Sequence, residues 1–196
     1  MPVRKFETVE AFESQLKNVA EVLIDGTEQR VERPKGSDNQ RVQYSGKKKA
    51  HTNITLVISD KRRYIYYLSH LYNGSQVDFG LLKKEFPPEK KWFSNMKVMV
   101  DLGFIGIDKL YDIKELWIGF KKKRKSKSNP NPQLTEEQKA YNQAISKERI
   151  YVEHAIGGMK IFRILKNRCR IKSWELKNRI IGICAGLWNY RLSIKS

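Results

Sequence analysis

The chain has 196 residues, 40% hydrophobic and 11% aromatic, which suits one globular domain, or one with a small appendage, and excludes a chain disordered as a whole. Its 39 Lys plus Arg against 21 Asp plus Glu give a net charge of +18, which favours a polyanionic partner, either nucleic acid or an anionic membrane surface. No apolar run reaches the roughly 18 residues that a membrane span needs, and no basic-then-apolar signal pattern opens the chain, so a soluble, cytoplasmic protein is expected.

Residues 1–20 carry a weak helical pattern (Phe6, Val9, Phe12, Leu16) and read as a lead-in segment. Val22-Leu23-Ile24 then reads as an interior strand closed by Asp25 and Gly26, where the acid is either a strand terminator or a ligand. Two further strand-like blocks reach to about Leu71, with Asp60-Lys61 as a hairpin turn, and predict a three-stranded antiparallel meander. Asp78 to Phe86 has helical spacing, with Asp78 as its N-cap, and Pro87-Pro88 stops it. Lys97 to Gly106 repeats the opening pattern, an aliphatic strand ending on an acid and a glycine, Asp101-Leu102-Gly103.

Leu116 to Phe120 predicts a short strand, followed by a basic loop at 121–133. Thr135 with Gln138 forms a capping-box pattern that opens a long helix reaching Leu165. A last helix begins near Ser173 and is expected to dock through Ile180, Ile183, Cys184, Leu187 and Trp188. Strands first and helices last indicate an α/β domain with helices packed on a mainly antiparallel sheet. Cys169 and Cys184 lack metal spacing and read as reduced structural residues.

Two strand-ending acids, Asp25 and Asp101, direct attention to a third, Glu153. At about 100° per residue, Arg149, Glu153 and Lys160 fall at roughly 0°, 40° and 20° around the helix axis, one charged stripe beside an apolar arc of Tyr151, Val152, Ala155, Met159 and Phe162. The stripe admits two readings. It is either solvated intrahelical pairing, or an acid that joins the two strand acids to hold divalent metal while Arg149 and Lys160 bind phosphate. Two Mg²⁺ ions about 4 Å apart can activate water and neutralise a leaving oxygen in phosphodiester cleavage, and an oxygen-only ligand set suits that ion.

The ordered text IDGTE (24–28), YSGKKKAHT (44–52), NGSQVDFGLL (73–82), VDLGFIG (100–106), LTEEQKAYN (134–142) and RIYVEHAIGGMKIFRIL (149–165) resembles the catalytic half of a DDE-type insertion-sequence transposase, a DDE superfamily endonuclease. The resemblance runs over nearly all of residues 21–190. It implies a ribonuclease H-like mixed sheet, with Asp25, Asp101 and Glu153 as catalytic metal ligands for Mg²⁺, or Mn²⁺ as a substitute. It also covers Asp78, as an auxiliary acid or a competitor of Asp101. Related enzymes often carry a Tyr three residues before the Arg; Ser146 stands there in this chain. The implied activity is metal-dependent DNA strand cleavage and strand transfer at transposable-element ends. Implied partners are element-end and target DNA, a second copy in a synaptic complex, and a separately encoded N-terminal DNA-binding half. Residues 1–20 are candidates for a remnant of that half, residues 21–196 for the catalytic domain, and the implied location is the nucleoid.

Further phosphate-contact candidates are Lys47, Lys48 and Lys49, and Lys121, Lys122, Lys123 and Arg124 in the basic loop; each group reads equally as solvated surface charge. Arg63-Tyr64-Ile65-Tyr66-Tyr67 reads either as a base-stacking stretch or as ordinary strand alternation. Gly157-Gly158 within the helix predicts close approach of another backbone or of DNA. His154 points away from Glu153 and reads as a packing or surface residue. The rival functions are a truncated, non-catalytic DNA-binding relic of a transposase, another ribonuclease H-like nuclease, and a tyrosine recombinase, which would need no metal.

Overall fold

A computed structural model describes residues 1–127 and 130–194. The elements run in chain order as α1 (Val9–Gln15), β1 (Glu21–Arg30), α2 (Ser37–Gln43), β2 (Tyr44–Ser45), β3 (Ala50–Ser59), β4 (Ile65–Leu68), β5 (Tyr72–Asn73), α3 (Asp78–Glu85), β6 (Phe93–Met99), β7 (Ile113–Trp117), α4 (Glu136–Met159), α5 (Arg163–Lys166) and α6 (Trp174–Ile194). β1, β3 and β4 form the antiparallel meander, and β6 joins the other side of β1 in parallel, followed by β7 in parallel. The sheet is therefore mixed, and its antiparallel pairings (β1 with β3, and β3 with β2, β4 and β5) outnumber the parallel ones (β1 with β6, β6 with β7), as expected. Its main path is β2-β3-β1-β6-β7.

Both faces are covered, and strand alternation assigns residues to them. Val22 and Ile24 of β1, Leu56 and Ile58 of β3, and Val98 of β6 face an aromatic cluster that includes Phe12, Phe86, Trp92 and Phe93. Phe6, Phe12 and Leu16 belong to this cluster, so residues 1–20 contribute directly to the core. On the opposite face Leu23 and Met99 pack against Val152 of α4, and Val57 packs with Ala155, Met159, Ile181 and Ala185 of α4 and α6. Burial on both faces explains why the strands read as continuous aliphatic runs.

Several boundaries differ from expectation. β1 does not stop at Asp25; it continues to Arg30, with Asp25 opposite Val57 and Gly26 opposite Leu56. The acid is tolerated inside the strand because β6 pairs with β1 only over Glu21 to Leu23, which leaves that edge of β1 without a strand partner at Asp25. β6 lies earlier than expected and ends before Asp101, which instead caps a 3-10 turn at Leu102–Phe104 by accepting the Gly103 N–H. β7 likewise starts before the expected stretch 116–120 and ends within it, at Trp117.

α4 opens on the expected capping box, the Thr135 hydroxyl accepting the Gln138 N–H while the Gln138 amide oxygen accepts the Thr135 N–H. It closes at Met159 with Lys160 as C-cap, so Phe162 and Leu165 lie beyond it. α6 docks partly as expected: Cys184 is buried and Ile180 and Trp188 pack beside it, but Ile181, Ala185 and Asn189 complete the buried face in place of Ile183 and Leu187, which are about half exposed. Asn189 turns inward because its amide donates to the Ile65 carbonyl and accepts the Ile65 N–H, closing the β4 edge. Both cysteines are free and buried. Among the described residues, no helix is long and apolar enough to cross a membrane.

Candidate metal centre and phosphate cleft

The site follows from one register. Leu23 of β1 pairs with Met99 of the parallel neighbour β6. Two residues further along each strand direction stand Asp25 and Asp101, on the same side of the sheet as Leu23 and Met99. Since β6 has ended by Asp101, the two chains diverge there and leave a cleft between adjacent acids. Val152 of α4 covers Leu23 and Met99, which brings Arg149 and Glu153, one helical turn apart, over that cleft.

A third carboxylate enters from below. Asp78 occupies the first turn of α3, and the N-cap is Val77, so Asp78 does not cap its own helix through its side chain. Its carboxylate instead reaches under β1 at Gly26, where any Cβ would overlap it. The glycine after Asp25 therefore serves close approach inside a strand and makes no turn. One oxygen each from Asp25, Asp78 and Asp101 lies within 4.8 Å of the others. Glu153 is exposed on α4 and lines the same cleft without belonging to that inner group.

Four cations face these acids. Arg149 Nη2 lies 3.8 Å from Asp25 Oδ2 and 4.0 Å from Asp101 Oδ2, and Lys47 Nζ lies 3.7 Å from Asp78 Oδ2. Lys48 and Lys160 line the cleft beside them. Lys160 donates from Nζ to the Glu28 carbonyl at 2.8 Å, and burial lowers its pKa, helped by nearby Lys48. Burial also raises the Asp25 carboxyl to about 6; Arg149 opposes that rise, while Asp101 and Asp78 add to it. Burial raises Asp78 too, against the pull of Lys47.

Three acids this close, with the nearest cations 3.7 to 4.0 Å away among the described residues, form an oxygen-only donor set whose mutual repulsion a divalent cation would relieve. Asp25, Asp78 and Asp101, with Glu153 across the cleft, thus fit a hard metal ion such as Mg²⁺ or Mn²⁺. The flanking Lys and Arg groups fit phosphate oxygens. The cleft encloses about 340 Å³ and is lined on one side by Gly157, whose missing side chain leaves open space.

Other candidates fall elsewhere. Lys49 adopts φ 48° in the turn before β3 and does not line the cleft. Lys121, Lys122, Lys123 and Arg124 are exposed in the irregular segment after β7; Ser128 and Asn129 of that loop lie outside the described residues. Ser146 is exposed on α4 and is not among the residues lining the cleft. Tyr66 and Tyr67 are both buried in the core and Tyr64 packs half-buried against it, so the stretch is mainly core, without the alternation expected of it. Gly158 lies against the indole of Trp188, not another backbone, while Gly157 faces the cleft, and His154 is exposed. Sequence reasoning passed over the cation row between Lys160 and Lys172, since its spacing fits neither a helix nor a strand taken alone.

The sequence profile of the family described as DDE superfamily endonuclease matches residues 24–189. The probable transposase for insertion sequence element IS702 of Microchaete diplosiphon is 39% identical over 178 residues, covering 89% of this chain and 58% of that protein. The chain thus spans a little over half the length of this curated relative. No solved structure matches it. With most of its length matched, the chain belongs to the DDE superfamily endonuclease family.

Proposed function

Starting from that membership, we propose that residues 21–196 are the catalytic domain of a DNA transposase, which cuts DNA at transposable-element ends and joins the freed ends to target DNA. The observation that carries this reading is the convergence of Asp25 and Asp101 from parallel neighbouring strands, beneath a helix that presents Arg149 and Glu153. The sheet, three antiparallel strands extended by two parallel ones, supports a ribonuclease H-like fold.

Asp25, Asp101 and Glu153 would hold the metal, with Asp78 as a fourth acid fixed by its seat under Gly26. Mg²⁺, or Mn²⁺ in its place, supplies the means to ionise a water near neutral pH and to neutralise charge on the leaving oxygen. Arg149 and Lys160 bind non-bridging oxygens of the scissile strand, and Lys47 and Lys48 hold the strand on the opposite wall. In hydrolysis the water oxygen bonds to phosphorus, the bond to the 3′-oxygen breaks, and a 3′-hydroxyl is released. In transfer that hydroxyl attacks a target phosphodiester in line, with the displaced oxygen leaving as the new bond forms. Arg149 stabilises charge in both steps without covalent attachment to DNA. Pairing of two ends calls for a homo-oligomer, and end recognition for a DNA-binding region in addition to this catalytic domain.

Nicking of supercoiled plasmid tests the reading. Cleavage should require Mg²⁺ or Mn²⁺, stop with EDTA, and fall at least 100-fold in Asp25→Asn and Asp101→Asn. Nicking that survives both substitutions would refute it, and absent nicking by the parent chain would favour the DNA-binding relic.

A further inference from the structure

The cleft leaves much of the positive charge after α4 without a role. From Lys160 to Lys172 the segment KIFRILKNRCRIK carries Lys160, Arg163, Lys166, Arg168, Arg170 and Lys172 and no acid. It is laced along the second half of β1. Lys160 Nζ donates to the Glu28 carbonyl at 2.8 Å, Gln29 Nε2 to the Ile164 carbonyl at 2.6 Å, and the Cys169 N–H to the Arg30 carbonyl at 2.8 Å. Cys169 is buried in a parallel bridge with Val31, so the alternation of extended chain turns Arg168 and Arg170 outward.

This row begins in the carboxylate cleft and ends at a separate pocket of about 410 Å³. Five cations line that pocket (Arg33, Lys35, Arg170, Lys172 and Lys177) against one acid, Glu32, whose 3.8 Å pairing with Arg170 is solvent-exposed. Lys177 is only 7% exposed, and its ammonium has Asn53 Oδ1 at 3.0 Å and the Trp174 ring beneath it. Among the described residues no carboxylate pairs with it, and burial lowers its pKa. A buried cation without a counter-charge is stabilised by an anion that enters the pocket. Along β1 the pocket at Val31 lies roughly 20 Å from Asp25, at about 3.3 Å per residue.

We infer that this pocket is a second phosphate site, which holds the backbone of the same DNA whose scissile phosphate occupies the carboxylate cleft, with the Lys160–Lys172 strap as the track between them. The inference rests on the proposed function for the identity of the DNA, but binding at the pocket needs no metal.

The test is fluorescence anisotropy on a random-sequence 30-bp duplex in EDTA, titrated across KCl concentrations. The variant is Arg170→Gln/Lys172→Gln; the control, Lys5→Gln/Lys17→Gln, removes equal charge from exposed positions elsewhere. The pocket variant should bind about tenfold more weakly at 0.1 M KCl, with its salt slope reduced by about 1 to 2, while the control stays within twofold. Equal loss in both variants, which would indicate net charge alone, overturns the inference, as does no loss in the pocket variant. Inorganic phosphate at 10 mM should compete little with DNA; phosphate that abolishes binding of the parent and leaves the variant unaffected would assign the pocket to the free ion and overturn it also. If plasmid nicking is absent while the pocket variant shows its selective loss, the cleavage reading fails and the phosphate site stands.

Discussion

Gly26 of β1 lies directly over the carboxylate of Asp78, with no room between them for a side chain. The absent Cβ therefore sets the position of an acid 52 residues away in sequence. Gly26→Ala should displace Asp78, cost about 1–3 kcal/mol of stability by overpacking, and slow nicking by roughly 10- to 100-fold. Denaturant unfolding and the plasmid assay check this; a stable variant with full activity would mean that Asp78 moves without consequence.

Asp25 should make stability pH-dependent. Its folded pKa of about 6 lies above the usual carboxylate range, chiefly through burial, so the folded state resists its ionisation. The metal-free protein therefore loses stability as pH rises from about 4 through 6, and the loss is complete above that window. Asp25→Asn removes the ionisation, and in EDTA it should exceed the parent by about 1–3 kcal/mol at pH 8, with the difference vanishing near pH 4. Chemical denaturation at both pH values reads this directly.

Arg149 stands 3.8 Å from Asp25 and 4.0 Å from Asp101, where it partly offsets their charge. Arg149→Met should leave Mn²⁺ affinity equal or tighter, since a competing cation is gone, yet lower nicking by about 10²-fold through lost phosphate contact. Mn²⁺ titration by electron paramagnetic resonance separates the two effects. Weakened Mn²⁺ binding would instead make Arg149 a residue that organises the acids.

The adjacent glycines of α4 should respond in opposite ways. A Cβ on Gly158 would enter the Trp188 indole, so Gly158→Ala should destabilise the docking of α4 on α6 by about 2 kcal/mol. Gly157 faces open space in the cleft, and Gly157→Ala should gain up to about 1 kcal/mol from helix propensity while weakening DNA binding. Thermal unfolding and anisotropy of the two variants check the contrast.

What was legible in the sequence was local. The Thr135–Gln138 capping box marks the start of α4 because its hydrogen bonds span three residues, and the aliphatic runs before Asp25 and Asp101 mark interior strands. Placement of Arg149 and Glu153 on one stripe follows from helical spacing, and both line the cleft. What was not legible depends on pairing between distant segments. The extension of β1 past Asp25 arises because β3 continues beside it after β6 has ended, which no local pattern records. Asp78 looks like a helix cap until its proximity to Gly26 is known, and Lys177 and Asn189 look like solvent positions until their partners Asn53 and Ile65 are placed. The strap from Lys160 to Lys172 has no period of its own; its outward cations are sorted by β1.

The central claim is that these acids hold a divalent cation for cleavage of DNA, and an anomalous-diffraction map of crystals soaked in Mn²⁺ tests it most directly. The account predicts a peak within ligand distance of Asp25 and Asp101 that disappears in Asp25→Asn. Carboxylates that remain paired to Arg149 and Lys47 at high Mn²⁺, with no peak among them, would contradict it.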